Sequence, residues 1–390
     1  MGTPDDQGTA TGQPAKRPQA GPEGGLWQGL RGRVNWGQTP TADPFDRRAP
    51  GAMVHTTSCL ILGPVSSGKT ALLYSLARCA EVHSHSYQGR YDVDITGGNE
   101  AFDNYRGKGV ETIFRNGLVV SATQRNQFSA PEFRIEVHPS GSDHRPGRVT
   151  TFSSFDASGG LLEFRTDQPE APATDATDPG STMSDQGKQD DEQDQERLGI
   201  KAHKALLAQL AQAESVVFCI PLGRQMEHSE REFLARRIYE LRERPRLHRL
   251  VVCFTMYEKL GQGQGRNAYR HLAHRGMARD LMAAALGGRD HGIAKALRSF
   301  QRTGRGVWCV PVSTYGFIPS NGGINFDPNN DSLLVRAPPA RSTGITPETP
   351  YSLDDAWELW RPFCTLDPFV FIATDDSAGT LIHRLEELEA

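Results

Sequence analysis

The stretch Gly63-Pro64-Val65-Ser66-Ser67-Gly68-Lys69-Thr70 follows an apolar run, Cys59 to Leu62, and precedes Ala71-Leu72-Leu73-Tyr74-Ser75-Leu76, which has the pattern of a helix. Strand, glycine loop and helix in that order is the context in which a G-x-x-x-x-G-K-[ST] match carries meaning. Gly63 and Gly68 let the backbone bend until successive N–H groups point inward at one anion. Lys69 is placed to reach the outer phosphates of a nucleotide, and the Thr70 hydroxyl suits Mg²⁺. The helix opening at this point adds the positive end of its dipole. The expected phosphate-binding set is therefore Gly63, Pro64, Val65, Ser66, Ser67, Gly68, Lys69, Thr70 and Ala71, with Mg²⁺ alongside.

Bulk properties narrow the setting. The chain has 390 residues, enough for one large or two ordinary domains. A hydrophobic fraction of 37% is low for a chain folded throughout, so part of it is expected to lack a packed core. The mean hydropathy of −0.52 points the same way. A formal charge of −4 gives no reason to expect a nucleic-acid partner. No apolar run is long enough to cross a bilayer, and Met1 to Ala20 lacks the apolar centre of a signal peptide, so a cytoplasmic protein is expected. None of the six cysteines forms a C-x-x-C pair, and Cys59, Cys219, Cys253 and Cys309 fall in apolar runs, as small reduced core residues do.

The order of elements argues for an α/β fold with a mainly parallel central sheet and helices on both faces, interrupted by two long insertions. Residues 1–50, rich in Pro, Gly, Gln and Thr, read as a disordered leader; 51–390 read as one domain. Strands are expected at 56–62, at Phe133–Val137, over Val149–Phe155, at Ser215–Ile220, over Leu250–Thr255 and at Val307–Val312. Helices are expected at 69–80, 200–213, after a Ser229/Glu232 capping box, over Arg266–Leu286 and near 292–301. The polar stretch at 82–130 reads as a switch-like insertion. Ten acidic residues face Lys188 alone over 166–196, the composition of a disordered acidic insertion. The 317–390 extension reads as loop, then an Asp367-Pro368 turn, the apolar run Phe369–Ile372 and a closing helix over Ser377–Leu388.

A phosphate-loop hydrolase needs a second acid near Mg²⁺, at the end of a hydrophobic strand. Asp156 stands there, and in Asp156-x-x-Gly159 the acid is placed to hold the metal while the Gly159 N–H meets the γ-phosphate. With this pair the chain resembles, over roughly 56–316, the GTPases of the translation-factor-related (TRAFAC) class. The resemblance implies a mobile threonine closing on Mg²⁺ and the γ-phosphate. Thr123 is the candidate and Thr112 the alternative. It implies a base-reading [NT]-K-x-D segment after the fifth strand, where this chain has Thr255-Met256-Tyr257-Glu258. Met256 and Glu258 depart from that pattern; Glu keeps a pair of acceptors for guanine on a longer arm. Ser313 matches the start of the family's S-A-[KL] loop beside the base. In its loop, insertions and extension the chain also looks like bacterial double-GTPase proteins of conflict systems.

The expected activity is Mg²⁺-dependent GTP binding with slow hydrolysis, acting as a switch, with Lys69, Thr123, Asp156 and Gly159 as the reaction-centre residues. Gly160 occupies the place of the family's water-orienting Gln, so a protein effector or neighbouring subunit is expected to complete the machinery. An ATP-using enzyme that shares only the loop, and a nucleotide-binding interaction protein without turnover, remain alternatives.

Overall fold

Strands buried on both faces need cover on both sides, and the helices provide it. In the computed structural model the described residues are 56–64, 66–83, 87–109, 128–129, 131–140, 148–154, 156–157, 204, 206–222, 226–287, 291–317, 322–325 and 362–389. The expected leader at 1–50 and acidic insertion at 166–196 lie outside them, as does most of 317–350.

The strands are β1 (Thr56–Leu62), β2 (Tyr91–Gly97), β3 (Phe128–Ser129), β4 (Glu132–Pro139), β5 (Arg148–Ser154), β6 (Asp156–Ala157), β7 (Ser215–Pro221), β8 (Arg249–Thr255), β9 (Gly306–Pro311) and β10 (His383–Arg384). Eight of them form one sheet in the order β10-β9-β8-β7-β1-β5-β4-β2, and β3 pairs with β6 separately. The run β9-β8-β7-β1-β5 is parallel throughout, while β4, β2 and β10 join antiparallel. β7 and β8 carry almost continuous apolar sequence because every residue of both except Arg249 is buried.

The helices are α1 (Lys69–His83), α2 (Glu100–Gly109), α3 (His228–Arg242), α4 (Ala268–Leu272), α5 (Arg275–Ala285), α6 (Gly292–Gln301), α7 (Asp367–Thr374) and α8 (Leu385–Glu389), together with a helical segment at 206–212. Alternate residues of each strand feed two cores. On one face Leu60, Phe218, Val252 and Phe254 meet Leu234 and Ile238 of α3 and Leu297 and Phe300 of α6. On the other, Ile61, Val217, Val251, Phe133 and Phe152 meet Leu72 and Leu76 of α1 and Phe369 of α7. Phe133, Phe152 and Phe369 form an aromatic knot, with Phe369 edge-on to both sheet rings at 5.8 and 5.1 Å.

Several expectations are corrected. The 82–130 stretch holds the end of α1, the whole of β2 and α2 and the short strand β3, with 84–86, 110–127 and 130 falling outside the described residues. β2 is an edge strand with one wet face, and α2 is anchored by Phe102 stacked at 5.0 Å on Phe133; an exposed edge and a polar helix conceal both in a composition reading. The helix expected over 266–286 is broken between α4 and α5, where His274 Nδ1 accepts the Met277 N–H at 3.4 Å. α3 is capped by Glu227 and Glu230, not Ser229 and Glu232, with the Glu227 N–H donating to Glu230 at 3.0 Å. Asp367 and Pro368 are the first residues of α7, not a turn, since proline fits a helix's first turn where its missing N–H is no loss. The closing helix is confined to α8, preceded by β10.

Candidate functional site

Five parallel strands send the segments that follow them to one edge of the sheet. From β1 the chain goes on to β5 on one side, then to β7 on the other, so the carboxyl end of β1 is the point at which the strand order reverses. Open α/β sheets bind ligands at such a point. The 63–70 loop, Asp156, the Thr255–Glu258 turn and Ser313 follow β1, β5, β8 and β9, and topology alone brings them to this edge.

The loop is held from three directions. Lys69 Nζ turns back and donates to the Gly63 and Pro64 carbonyls, both at 2.9 Å, with Ser67 Oγ at 3.5 Å. Lys69 is 4% exposed and Ser67 1%, so the ammonium sits within the loop instead of reaching into solvent. Ser66 and Gly68 take left-handed conformations, φ 54° and 78°, which turn the chain into α1, and the Gly68 carbonyl accepts from the Leu72 N–H at 2.8 Å. A side chain at Gly63 has no room: a Cβ there would lie 2.6 Å from Ser67 Oγ and 2.7 Å from the Cys219 carbonyl oxygen of β7. Thr255, at the end of β8, donates its hydroxyl to the Ser67 carbonyl at 2.5 Å, with the Ile220 carbonyl at 3.3 Å. The same side chain closes on Gly68, where a Cβ would meet Thr255 Cβ at 3.3 Å and Oγ1 at 3.4 Å. Thr255 thus ties β8 to the loop.

The far side of the edge is built differently. Met256 is left-handed at φ 58°, and this bend starts the 3₁₀ turn Tyr257–Gly261. Tyr257 is buried, donates its hydroxyl to the Leu272 carbonyl of α4 at 3.0 Å, and stacks on Phe363 at 6.3 Å. Glu258, beside it, is 1% exposed, and neither carboxyl oxygen has a hydrogen-bond partner. Burial pushes its pKa above the usual carboxylate range, while the Ser313 hydroxyl, its own N–H and Lys259 on the same turn pull the other way. Neither the hydroxyl nor the N–H closes a hydrogen bond of good geometry onto it. Ser313 is fully buried, accepts the Gly316 N–H at 2.9 Å and exchanges main-chain hydrogen bonds with Phe363.

The structure therefore brings Gly63, Pro64, Ser66, Ser67, Gly68, Lys69, Thr70 and Ala71 into one loop and helix start, clamps them with Thr255, and sets Glu258 near Ser313. The Asp156 main chain pairs with Ser129 in the small β3–β6 ladder; its side chain lies outside the described residues. Val65, Thr112, Thr123, Gly159 and Gly160 lie outside them too. Thr70, half-buried in the first turn of α1, is a hard oxygen donor beside Lys69, the ligand type Mg²⁺ takes while keeping most of its waters. Among the described residues no group of three or more His, Cys, Asp or Glu gathers as a metal cluster. Sequence reading missed Phe363, which returns to this edge from a segment about fifty residues downstream of Ser313, and no local signal marks such a contact.

No family model matches the chain, and no curated protein matches it. Among solved structures, the GTPase-like domain of S. cerevisiae Ski7 bound to GTP is similar over 67% of this chain and 44% of that chain, at 12% identity and a TM-score of 0.28. The same domain bound to GDP and inorganic phosphate gives the same values. The match spans less than half of that chain's length, and a likeness so distant says nothing of the ligand here. Among the described residues no helix is long and apolar enough to cross a membrane.

Proposed function

We propose that this edge binds a nucleoside triphosphate with Mg²⁺, preferring GTP, and that the protein is a nucleotide switch of low intrinsic hydrolysis rate. One observation carries the reading: a glycine loop at the reversal point of a parallel sheet, wrapped around a buried lysine. The loop's main-chain N–H groups and the first turn of α1 grip the phosphates, and Lys69 supplies fixed positive charge. Thr70 and, after β5, Asp156 hold Mg²⁺, which neutralises charge that develops on the transferred phosphoryl group. Thr123 and Gly159 close on the γ-phosphate. Glu258, with Ser313 beside it, reads the base; two unpartnered acceptors suit the two N–H donors on one edge of guanine.

Slow turnover follows from Gly160, which has no side chain to orient water, so an effector or a neighbouring subunit completes the site. A second reading, ATP binding, draws on Met256 and on the burial of Glu258, which raises its pKa and favours its neutral form. Competition of GTP against ATP, followed by single-turnover hydrolysis, tests both. Preference for GTP with a rate above that of Lys69→Ala supports the proposal. Preference for ATP, or a rate no better than the variant's, removes it.

A further inference from the structure

We propose that base selection at this edge is proton-coupled: the Glu258 side chain waits as a neutral acid, and accepting a guanine base requires it to release its proton. The inference rests on the nucleotide-binding reading above and adds how the base is chosen. Its ground is geometric. Both carboxyl oxygens lie in the protein interior without a hydrogen-bond partner, and a carboxylate stripped of water and partners is far less stable than the neutral acid.

The two protonation states present different edges. A neutral carboxylic acid offers one donor and one acceptor; a carboxylate offers acceptors only. Guanine shows two adjacent donors, its ring N–H and its amino group, and pairs with the carboxylate. Adenine shows an amino donor beside a ring-nitrogen acceptor, and pairs with the neutral acid. Only the Glu258 O–H bond breaks on guanine binding, and its proton passes to the solvent. The same residue therefore favours GTP more strongly as pH rises.

Among the described residues, few charged groups stand around it. Lys259 stands on the same turn; α4, packed on that turn, buries Ala268 and Leu272 against it and carries Arg270 and His271 exposed. From the end of β9 comes uncharged Ser313, and from beyond it Phe363. A Glu258→Gln variant keeps every one of these groups and fixes the side chain as one donor and one acceptor.

The test is titration calorimetry of the full chain with GTP and with ATP, with Mg²⁺, from about pH 6 to 8, in buffers of differing ionisation enthalpy. The two nucleotides share a triphosphate, so its own titration cancels between them. GTP is expected to release close to one more proton than ATP, and its affinity relative to ATP to rise by up to about tenfold per pH unit below the point at which Glu258 ionises in the free protein. Glu258→Gln, its folding checked by its melting curve, is expected to abolish both differences. Equal proton release for GTP and ATP in the wild type overturns the inference alone, whatever the variant does. Absence of affinity for either nucleotide overturns the binding reading beneath it, and the inference with it.

Discussion

The two halves of this edge solve the same burial problem in opposite ways. Around Lys69, polar groups are matched within the loop: ammonium to the Gly63 and Pro64 carbonyls, and the Thr255 hydroxyl to the Ser67 carbonyl. Around Glu258 the same degree of burial leaves two oxygens without partners. The first corner is stable before any ligand arrives; the second is tolerable only as a neutral acid or with donors brought from outside. The difference separates residues that shape a site from residues that wait for something to enter it. Most buried polar groups are hydrogen-bonded, so the exceptions are informative.

The contrast breaks most decisively at Lys69. If Lys69 serves the triphosphate as proposed, Lys69→Ala removes a charge-assisted contact and is expected to weaken GTP and ATP binding alike, by about 10- to 100-fold, in calorimetry. A loss confined to one of the two nucleotides would mean that Lys69 does not act on their shared triphosphate. Gly63→Ala tests the shape of the same corner. Its Cβ would press on the Cys219 carbonyl of a central strand, which cannot retreat, so denaturant unfolding should show a loss of about 1–3 kcal/mol. Unchanged stability would mean that the loop is not packed against β7.

Thr255→Val keeps the side chain's volume but leaves the Ser67 carbonyl without its hydroxyl donor. A loss of about 1–2 kcal/mol in stability is expected, with the GTP-to-ATP preference unmoved. A change of that preference would show that Thr255 also takes part in reading the base.

The smallest effect belongs to the other corner. Glu258 has its pKa raised on folding, so the native state holds a proton that the unfolded chain gives up. Its contribution is fully present below the unfolded value and is lost as pH rises through the folded one. Asp367 acts in the same sense, since burial raises its pKa even though it accepts a hydrogen bond from the Tyr87 hydroxyl at 2.6 Å. Thermal melts from about pH 4 upward should therefore show a decline that Glu258→Gln lessens and that a Glu258→Gln, Asp367→Asn double variant lessens further. A decline untouched by either change would place its origin in other groups.

What the sequence discloses follows how local each cause is. β1, the glycine loop and α1 are legible because their strand, turn and helix cues are consecutive in the chain, and β7 and β8 because burial on both faces writes itself as unbroken apolar runs. The order of the strands then delivers Thr255, Glu258 and Ser313 to the same edge of the sheet as the loop without further information. β2 escapes notice because an edge strand need not be apolar, and α7 because Asp367-Pro368 is as good an opening for a helix as for a turn. The tasks of the site residues are less visible still. Nothing near Thr255 in sequence says that its hydroxyl faces a carbonyl 188 residues away, and nothing near Glu258 says that its carboxyl is left alone.

The central claim is that main-chain amides around Lys69 hold a triphosphate with Mg²⁺. Calorimetric titration of the wild-type chain with GTP, with Mg²⁺ and with the metal chelated, addresses it directly, with Lys69→Ala in parallel. Binding that magnesium strengthens and that the variant weakens is the expected result. No measurable affinity in the wild type, or affinity indifferent to both magnesium and Lys69, would contradict the account.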